Sequence, residues 1–269
     1  MSEADRVFAG SIPAVYERYL GPLIFQPYAV DLAARVANTA ARRVLETAAG
    51  TGILTRALAG RLPDATEIVA TDLNQPMLDF AAAQPGTTRV TWRSADALSL
   101  PFFDQSFDVV ACQFGAMFFP DKVAAYREAM RVLRPGGCFV FSVWERIEEN
   151  EFAAVVTEAV AALFPGDAPS FLNRTPHGYH DVARIRGELA AAGFAHVAVE
   201  TVEHRSQALG YRDPAIGFCQ GTPLRNEIEA RDAARLGEAT DAAAAALGAR
   251  FGFGPIDGKM QAHVITASL

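Results

Sequence analysis

The chain has 269 residues, of which 51% are hydrophobic and 20% charged, and its formal net charge is −7. This length suits one large domain, or a core with an added subdomain, and the composition is that of a soluble globular protein. The acidic balance argues against a nucleic-acid surface, and no run approaches the about 20 apolar residues of a membrane span.

The start of the chain and its cysteines predict a cytoplasmic location. Residues 1–6 lack the basic start and the apolar core of a signal peptide. Cys112, Cys138 and Cys219 are scattered without the spacing of metal ligands. We therefore expect three buried, reduced cysteines and no metal site.

An aromatic segment opens the chain. Its prolines predict that residues 7–27 form short helical pieces, followed by a helix over residues 28–38. The aromatic side chains Tyr16 and Phe25 suggest a lid that closes over a ligand. Simple packing of a flap on the core is the alternative.

A short buried strand over residues 43–47 is predicted to lead into a turn of small residues, Ala48, Gly50 and Gly52, and then into a helix. Small side chains there let a ligand lie directly on the backbone. Asp72 ends the next apolar run, where its carboxylate can accept hydrogen bonds from both hydroxyls of a ribose. Together these features predict a nucleoside site.

The residue at position 55 bears on which nucleoside binds. The dinucleotide fingerprint requires glycine or alanine there, and this chain has Thr55. The frame Glu-x-Ala-x-Gly-x-Gly over Glu46–Gly52, followed by Asp72, resembles the class I S-adenosylmethionine-dependent methyltransferases. Their usual frame has glycine where this chain has Ala48.

The resemblance extends into the predicted helix that follows the second strand. In that family the acidic residue binds the ribose, the next residue packs on adenine, and a methionine often covers the other adenine face. These roles fall on Asp72, Leu73 and Met77, although ordinary helix-core packing stays open for Met77. Asn74 is predicted as the helix N-cap, with Pro76 in the first turn.

A third strand is predicted over residues 90–93, and it leads into Ser-Ala-Asp-Ala-Leu at residues 94–98. This segment is similar to the third motif of the family. The resemblance implies that Asp96 accepts the adenine amino group and that Ala97 supplies a backbone N–H to the ring. For Asp96 alone, capping of its own loop is the alternative.

The fourth strand is predicted over residues 107–112, with Asp108 stabilising the turn at its start. In the family the residue just past this strand meets the methionine part of the cofactor, which points to Gln113. The residues that follow would border the acceptor as an apolar wall made of Phe114, Met117 and Phe118, with core packing as the equal alternative for each.

The remaining elements follow the same pattern. A helix over residues 121–133 leads through the sequence Val-Leu-Arg-Pro-Gly-Gly, which is characteristic of this family, and a sharp turn into a strand over residues 138–144. The later elements are expected to be helices over residues 150–164 and 181–192, a strand over residues 197–202, a helical insertion over residues 212–250 and an edge-type strand over residues 260–267.

His177 and His180 lie in a polar loop where the acceptor pocket is expected. No further ligands at zinc-binding spacing accompany them. His177 is a candidate general base, against the alternative of a capping or surface role. No other residue is identified as catalytic.

The predicted fold is an α/β, Rossmann-like, seven-stranded and mostly parallel sheet, with the last strand antiparallel, helices on both faces and a helical lid. We expect an N-terminal helical flap over residues 1–38 and a cofactor-binding core over residues 39–145. The rest of the core is assigned to residues 146–204 and 259–269, and the insertion to residues 205–258.

The resemblance implies a methyltransferase that uses S-adenosylmethionine and transfers the methyl group to a small apolar or aromatic acceptor. It is closest to the group that includes the ubiquinone and menaquinone biosynthesis methyltransferases. By this interpretation the cofactor contacts are Tyr16, Glu46, Ala48, Gly50, Gly52, Asp72, Leu73, Met77, Asp96, Ala97 and Gln113. The partner is a small molecule, and a homodimer is compatible with the sequence. A nicotinamide-dependent oxidoreductase and a non-catalytic cofactor-binding protein stay open as alternatives.

Overall fold

The computed structural model describes residues 10–269, and within them seven strands form one sheet in the order β3-β2-β1-β4-β5-β7-β6. Six strands are parallel and the last is antiparallel, which confirms the predicted fold class. The strands are β1 (Arg43–Glu46), β2 (Glu67–Asp72), β3 (Val90–Ser94), β4 (Phe107–Gln113), β5 (Leu133–Trp144), β6 (His196–Ala208) and β7 (Ile256–Ser268).

Helices connect the strands and build the insertion. They are α1 (Ile12–Val15), α2 (Gln26–Ala37), α3 (Ile53–Arg61), α4 (Gln75–Ala82), α5 (Lys122–Val132), α6 (Glu151–Ala162), α7 (Phe171–Arg174), α8 (Val182–Ala192), α9 (Arg212–Gln220), α10 (Leu224–Asp232) and α11 (Leu236–Phe251). The last three lie between β6 and β7, as the predicted insertion requires. None of the helices within residues 10–269 is both long enough and apolar enough to span a membrane.

The chain divides into two compact units. The sheet unit consists of residues 26–143, 180–202 and 263–269, and the helical unit consists of residues 10–25, 144–179 and 203–262. In the sheet unit α2 packs on α3 and α5 packs on α8, while in the helical unit α11 packs on α6 and α9. The domain boundaries expected from the sequence stay a prediction.

The strand order indicates that the expected ligand site lies at the centre of the sheet. β1 lies between β2 and β4 and is parallel to both, with Glu46 in register with Ala70 on one side and Ala111 on the other. Val44 and Leu45 are fully buried, as expected for a strand that is covered on both faces. Strand order switches direction at β1 and β4, so a crevice opens at the carboxyl ends of these two strands.

The prediction of an edge position for the last strand is wrong. β7 lies between β5 and β6, and β6 is the strand at that edge. The exposure pattern follows this order, because β7 is mostly buried whereas β6 alternates between exposed and half-buried residues. β7 follows the insertion and runs antiparallel between β5 and β6.

The sharp turn expected at residues 134–137 is a bulge inside β5. Phe107 pairs with Leu133 and Val109 with Cys138, so four residues of β5 face the single residue Asp108 of β4. The Asp108 carboxylate accepts the Arg42 and Arg43 N–H groups at 2.9 and 2.8 Å, and Arg134 binds its other oxygen at 2.8 Å. These contacts lower the pKa of Asp108 and hold the turn, as predicted.

Prolines do not interrupt the N-terminal segment as expected. Pro22 lies inside a continuous π-helical stretch, Tyr16–Phe25, whose wider turns accommodate the missing N–H. Pro13 and Pro27 instead lie in the first turns of α1 and α2. Residues 1–9 of the predicted flap lie outside the described residues.

Candidate functional site

The turn between β1 and α3 has the backbone geometry that its small residues suggested. Ala48, Gly50 and Gly52 have φ values of +54°, +56° and +80°. A Cβ placed on Gly50 would meet nothing within 4 Å, so open space lies against the backbone there. A Cβ on Gly52 would lie 3.0 Å from the Trp92 ring, so this position excludes a side chain. The turn therefore leaves room for a ligand along its backbone.

Asp72 ties this turn to the end of β2. Its Oδ2 accepts the Gly50 N–H at 2.8 Å, and its Oδ1 accepts the Asn74 N–H at 2.7 Å. The side chain is only 6% exposed, and burial raises the pKa of Asp72 while these hydrogen bonds oppose the rise. A ligand hydroxyl that binds Asp72 would share the carboxylate oxygens with these backbone donors.

The hydrogen bond from the Gly50 N–H to Asp72 was not predicted from the sequence. The role of the Asn74 side chain also differs from the prediction. Asn74 occupies the N-cap position of α4 but makes no side-chain capping bond. Its amide nitrogen lies 3.3 Å from Asp72 Oδ1 instead. Asn74 therefore helps to hold the Asp72 carboxylate rather than the helix end.

Glu46, the last residue of β1, is 1% exposed. The Thr55 hydroxyl donates a 2.6 Å hydrogen bond to Glu46 Oε2. Burial is the main cause that raises the pKa of Glu46 to about 8, the Asp72 charge adds to it, and Thr55 and Arg56 oppose it. From the sequence, Thr55 counted only against a dinucleotide site. The contact between Glu46 and Thr55 could have been suggested by one signal in the sequence. An acidic residue precedes the turn, and a hydroxyl follows in the first turn of the helix.

The residues assigned to adenine differ in exposure. Leu73 is 49% exposed beside Asp72, so it offers apolar surface to a flat ring. Met77 is buried in α4. Burial is what the alternative role of Met77, packing in the helix core, requires. Asp96 is exposed and accepts the Leu98 N–H at 2.9 Å, so it does cap its own loop, and its carboxylate retains further acceptor sites. Ala97 is half-buried.

Backbone contacts bring this segment to the same edge of the sheet. The Ala95 N–H donates to the Asp72 carbonyl at 3.0 Å, and Ser99 N–H donates to the Asp96 carbonyl at 3.0 Å. The loop that carries Asp96 and Ala97 is thereby attached to the end of β2. The cofactor roles of these residues stay predictions.

The end of β4 contains a strained residue. Gln113 is half-buried and in register with Ser142 of β5. Phe114 has φ +51°, a conformation that bulky residues rarely adopt, and its N–H donates to the Ser142 carbonyl at 3.1 Å. Such strain is retained where the surrounding structure enforces it, and it concentrates at functional sites. Phe114 also contacts the Tyr28 ring edge to face at 5.3 Å.

The predicted apolar wall continues in a short 3₁₀ turn, Ala116–Phe118. Met117 is buried and Phe118 half-buried. The Lys122 ammonium donates to the Phe119 carbonyl at 2.9 Å and lies 3.4 Å from the Met117 carbonyl. Burial lowers the pKa of Lys122. This lysine, which the sequence analysis did not identify, fastens the end of the turn.

The remaining predicted site residues lie in the helical unit. Tyr16 stacks on Phe25 with ring centroids 4.7 Å apart, Phe25 lies 6.0 Å from Trp144, and Trp144 lies 6.0 Å from His177. His177 is 5% exposed, and its Nδ1 lies 2.8 Å from the Glu145 carbonyl oxygen. A surface role for His177 is therefore wrong, whereas the lid role of Tyr16 and Phe25 stays a prediction.

The described residues hold no metal-like cluster, since no three His, Cys, Asp or Glu side chains within residues 10–269 are placed to share an ion. Cys112 and Cys219 are buried, and burial raises the pKa of each thiol to about 12. Both cysteines are therefore protonated packing residues.

Comparison with known proteins identifies methyltransferases as relatives of this chain. The family model described as a methyltransferase domain matches residues 44–137. A demethylmenaquinone methyltransferase of Clavibacter sepedonicus is 32% identical over 185 residues, which cover 65% of this chain and 72% of the relative. The demethylmenaquinone methyltransferase of Thermus thermophilus is 35% identical over 178 residues, which cover 62% and 79%.

Solved structures share the fold. The YcgJ protein of Bacillus subtilis matches with a TM-score of 0.55 and 22% identity, covering 90% of this chain and 97% of that one. A phosphoethanolamine N-methyltransferase of Haemonchus contortus matches with a TM-score of 0.59 and 17% identity, covering 98% and 59%. At these identities the likeness concerns the fold alone.

Proposed function

Because the chain belongs to the class I S-adenosylmethionine-dependent methyltransferases, we propose that it methylates a small apolar or aromatic acceptor. The observation that carries the proposal is the 2.8 Å contact between Asp72 and Gly50, which joins the carboxylate that we expect to bind the ribose to the glycine turn. The relatives are named for demethylmenaquinone, a quinone-type acceptor, which supports an acceptor of similar chemistry.

The residues at the ends of β1, β2 and β4 fit S-adenosylmethionine. Open space over Gly50 and the adjoining Asp72 carboxylate suit the ribose side, and the exposed Leu73 suits the adenine ring. We propose that the cofactor is held there by the backbone of Ala48–Gly52 and by Glu46, Asp72, Leu73, Asp96, Ala97 and Gln113. When bound, S-adenosylmethionine supplies a methyl group on a sulfonium, which is already reactive toward a nucleophile.

The protein's own contribution is to bind, orient and exclude water. The strained backbone at Phe114 and the 3₁₀ turn fastened by Lys122 support an apolar wall for the acceptor. An apolar wall favours a flat, hydrophobic molecule over a charged one. It also suits attack by an anionic nucleophile on a cationic donor, because charge is neutralised as the reaction proceeds.

His177 remains our candidate for the general base. Its Nδ1 faces a backbone carbonyl, which can only accept a hydrogen bond, so Nδ1 carries the proton in the neutral ring. In that tautomer Nε2 is the atom able to take a proton. A phenolic acceptor, with a pKa near 10, would gain from such a base without depending on it.

Calorimetric titration with S-adenosylmethionine and S-adenosylhomocysteine tests the proposal. We expect micromolar binding by the wild type, and at least a tenfold loss of affinity in Asp72→Ala, which removes the carboxylate. Asp79→Asn, on the exposed face of α4, is the matched control and should bind like the wild type. A folded wild-type protein that binds neither compound would contradict the proposal.

Turnover assays separate this function from its alternatives. Phenolic, quinol and amine acceptors should be screened for methyl transfer from S-adenosylmethionine. Cofactor binding without methylation of any of them would favour the non-catalytic alternative. Hydride transfer with a nicotinamide cofactor would support an oxidoreductase, which the methyltransferase relatives do not favour.

We also infer a cytoplasmic protein that acts without nucleic acid, and the net charge of −7 supports this inference. A homodimer is an additional expectation. Light scattering during size-exclusion chromatography would test it, and a monomer mass would contradict it.

A further inference from the structure

Glu46 is an acidic residue that is buried at the end of a central strand. Glu46 is the last residue of β1, between Ala70 and Ala111 on the neighbouring strands. Its side chain is 1% exposed and accepts a hydrogen bond from the uncharged Thr55 hydroxyl. Burial raises the pKa of Glu46 to about 8, so near neutral pH its side chain holds a proton in the free protein. A positive charge placed beside it by a ligand favours the ionised carboxylate, so a buried acid at a ligand-binding edge suggests a cationic ligand group.

Thr55 is the residue that fixes this carboxylate. It lies in the first turn of α3 and is fully buried, and its Oγ1 lies 2.6 Å from Glu46 Oε2. A glutamate side chain has several rotatable bonds, and this hydrogen bond holds one of its two oxygens. A glycine at position 55, as the dinucleotide fingerprint requires, would leave the Glu46 side chain without this support.

The other polar groups that act on Glu46 differ in whether they favour or disfavour its ionised form. Asp72 on β2 disfavours the ionised carboxylate, and Arg56 on α3 favours it. Cys112 on β4 is a protonated thiol that adds no charge. When Glu46 is ionised, Glu46 and Asp72 carry two negative charges against the single positive charge of Arg56, and a cationic ligand group balances the difference.

We propose that Thr55 is a positioning residue of the cofactor site, whose hydroxyl holds the Glu46 carboxylate ready for the ammonium at the amino-acid end of the S-adenosyl ligand. This inference depends on the proposed function. The donors of the ligand are the ribose hydroxyls, the adenine amine and the ammonium, and of these only the ammonium is a cation. Asp72 already suits the neutral hydroxyls, which leaves Glu46 for the charged group.

Two ligands separate this role from a general structural one. S-adenosylhomocysteine carries the amino-acid end, whereas 5′-methylthioadenosine has the same nucleoside and thioether but lacks that end. Calorimetry should show that Thr55→Val, which removes the hydroxyl at nearly constant shape, weakens S-adenosylhomocysteine binding by about tenfold. The same variant should bind 5′-methylthioadenosine within about twofold of the wild type. Thr55→Ser, which keeps the hydroxyl, should restore the affinity for S-adenosylhomocysteine.

A double-mutant cycle gives an independent readout. If Thr55 acts through Glu46, then Thr55→Val should have little further effect in a Glu46→Gln background. Thr55→Ala takes the place of the valine variant if melting shows that the valine is not accommodated.

Three results would overturn the inference: unchanged S-adenosylhomocysteine affinity in the hydroxyl-free variants, an equal loss for both ligands, or additive effects in the cycle. A wild type that binds 5′-methylthioadenosine and S-adenosylhomocysteine equally well would also overturn it, while leaving the proposed function intact. A wild type that binds neither would remove both.

Discussion

Ala48 and Gly115 pack directly against each other, and position 115 has no room for a side chain. A Cβ placed on Gly115 would lie 2.5 Å from the Ala48 Cβ and 2.8 Å from the Cys112 Sγ. The methyl group of Ala48 thus occupies the space that a side chain at position 115 would need. This pairing explains how the chain accommodates alanine in a turn where the family's usual frame has glycine.

Gly115→Ala should therefore destabilise the protein. Two sub-van der Waals contacts must be relieved by movement of the turn or of β4, which costs about 1–3 kcal/mol of unfolding free energy. Urea denaturation would measure it. Gly60→Ala is the matched control, because Gly60 is exposed in α3 with nothing near its Cβ, and it should stabilise by up to about 1 kcal/mol. Adding Ala48→Gly should recover part of the loss, and a Gly115→Ala variant as stable as the wild type would contradict the packing.

Local patterns were sufficient to predict much of the fold and to identify the segments that form the candidate site. The small residues from Ala48 to Gly52 and the acid at Asp72 are recognisable because they follow buried strands, where parallel sheets bind ligands. The place of β7 beside β5 was missed because strand order depends on contacts between distant segments. The bulge at residues 134–137 was missed because it depends on pairing with β4.

Two contacts in the candidate site were not predicted for the same reason. The bond between Thr55 and Glu46 joins residues nine positions apart, and the bond between Gly50 and Asp72 spans 22 positions. Each residue was noted in the sequence for its own chemistry. Their contacts appear only when α3 and β2 are packed against the end of β1.

Glu46 should make the stability of the protein fall as the pH rises. The pKa of Glu46 is raised from 4.5 to about 8, so between these values the folded protein holds one proton that the unfolded chain has lost. Stability then decreases with pH across that window, and this contribution is complete once pH exceeds about 8. The raised pKa of Asp72 acts in the same direction.

The measurement is urea denaturation at several pH values between 5 and 8 in wild type and Glu46→Gln. The wild type should lose stability relative to the variant by up to about 1.4 kcal/mol for each pH unit, the full slope for one proton. Glu158→Gln, exposed on α6, serves as the control and should follow the wild type. Parallel curves for wild type and Glu46→Gln would contradict the raised pKa.

Lys122→Met should impair acceptor binding more than cofactor binding. The ammonium holds the Phe119 and Met117 carbonyls at the end of the 3₁₀ turn, and methionine keeps the length of the chain without the donors. Steady-state kinetics should show a KM for the acceptor raised severalfold with little change in kcat. Calorimetry should show unchanged S-adenosylhomocysteine affinity. A loss of cofactor affinity with an unchanged acceptor KM would contradict the role given to this turn.

His177 can be assigned to structure or to catalysis by two substitutions. His177→Ala removes a buried ring, its contact with Trp144 and its hydrogen bond to the Glu145 carbonyl, which then keeps the longer 3.3 Å bond from Asn150. It should cost about 2 kcal/mol of stability. His177→Asn places an amide donor near the Nδ1 position, so it should recover part of that loss. Exposed His196→Asn is the control and should be neutral.

Activity then decides between the two roles, because asparagine can keep the structural contact but cannot accept a proton at neutral pH. If His177 is the base, His177→Asn should lower kcat by about a hundredfold or more and remove one step from the pH–rate profile. If the ring only supports the fold, the same variant should methylate at close to the wild-type rate. That result would withdraw His177 from the catalytic residues while leaving the stability prediction intact.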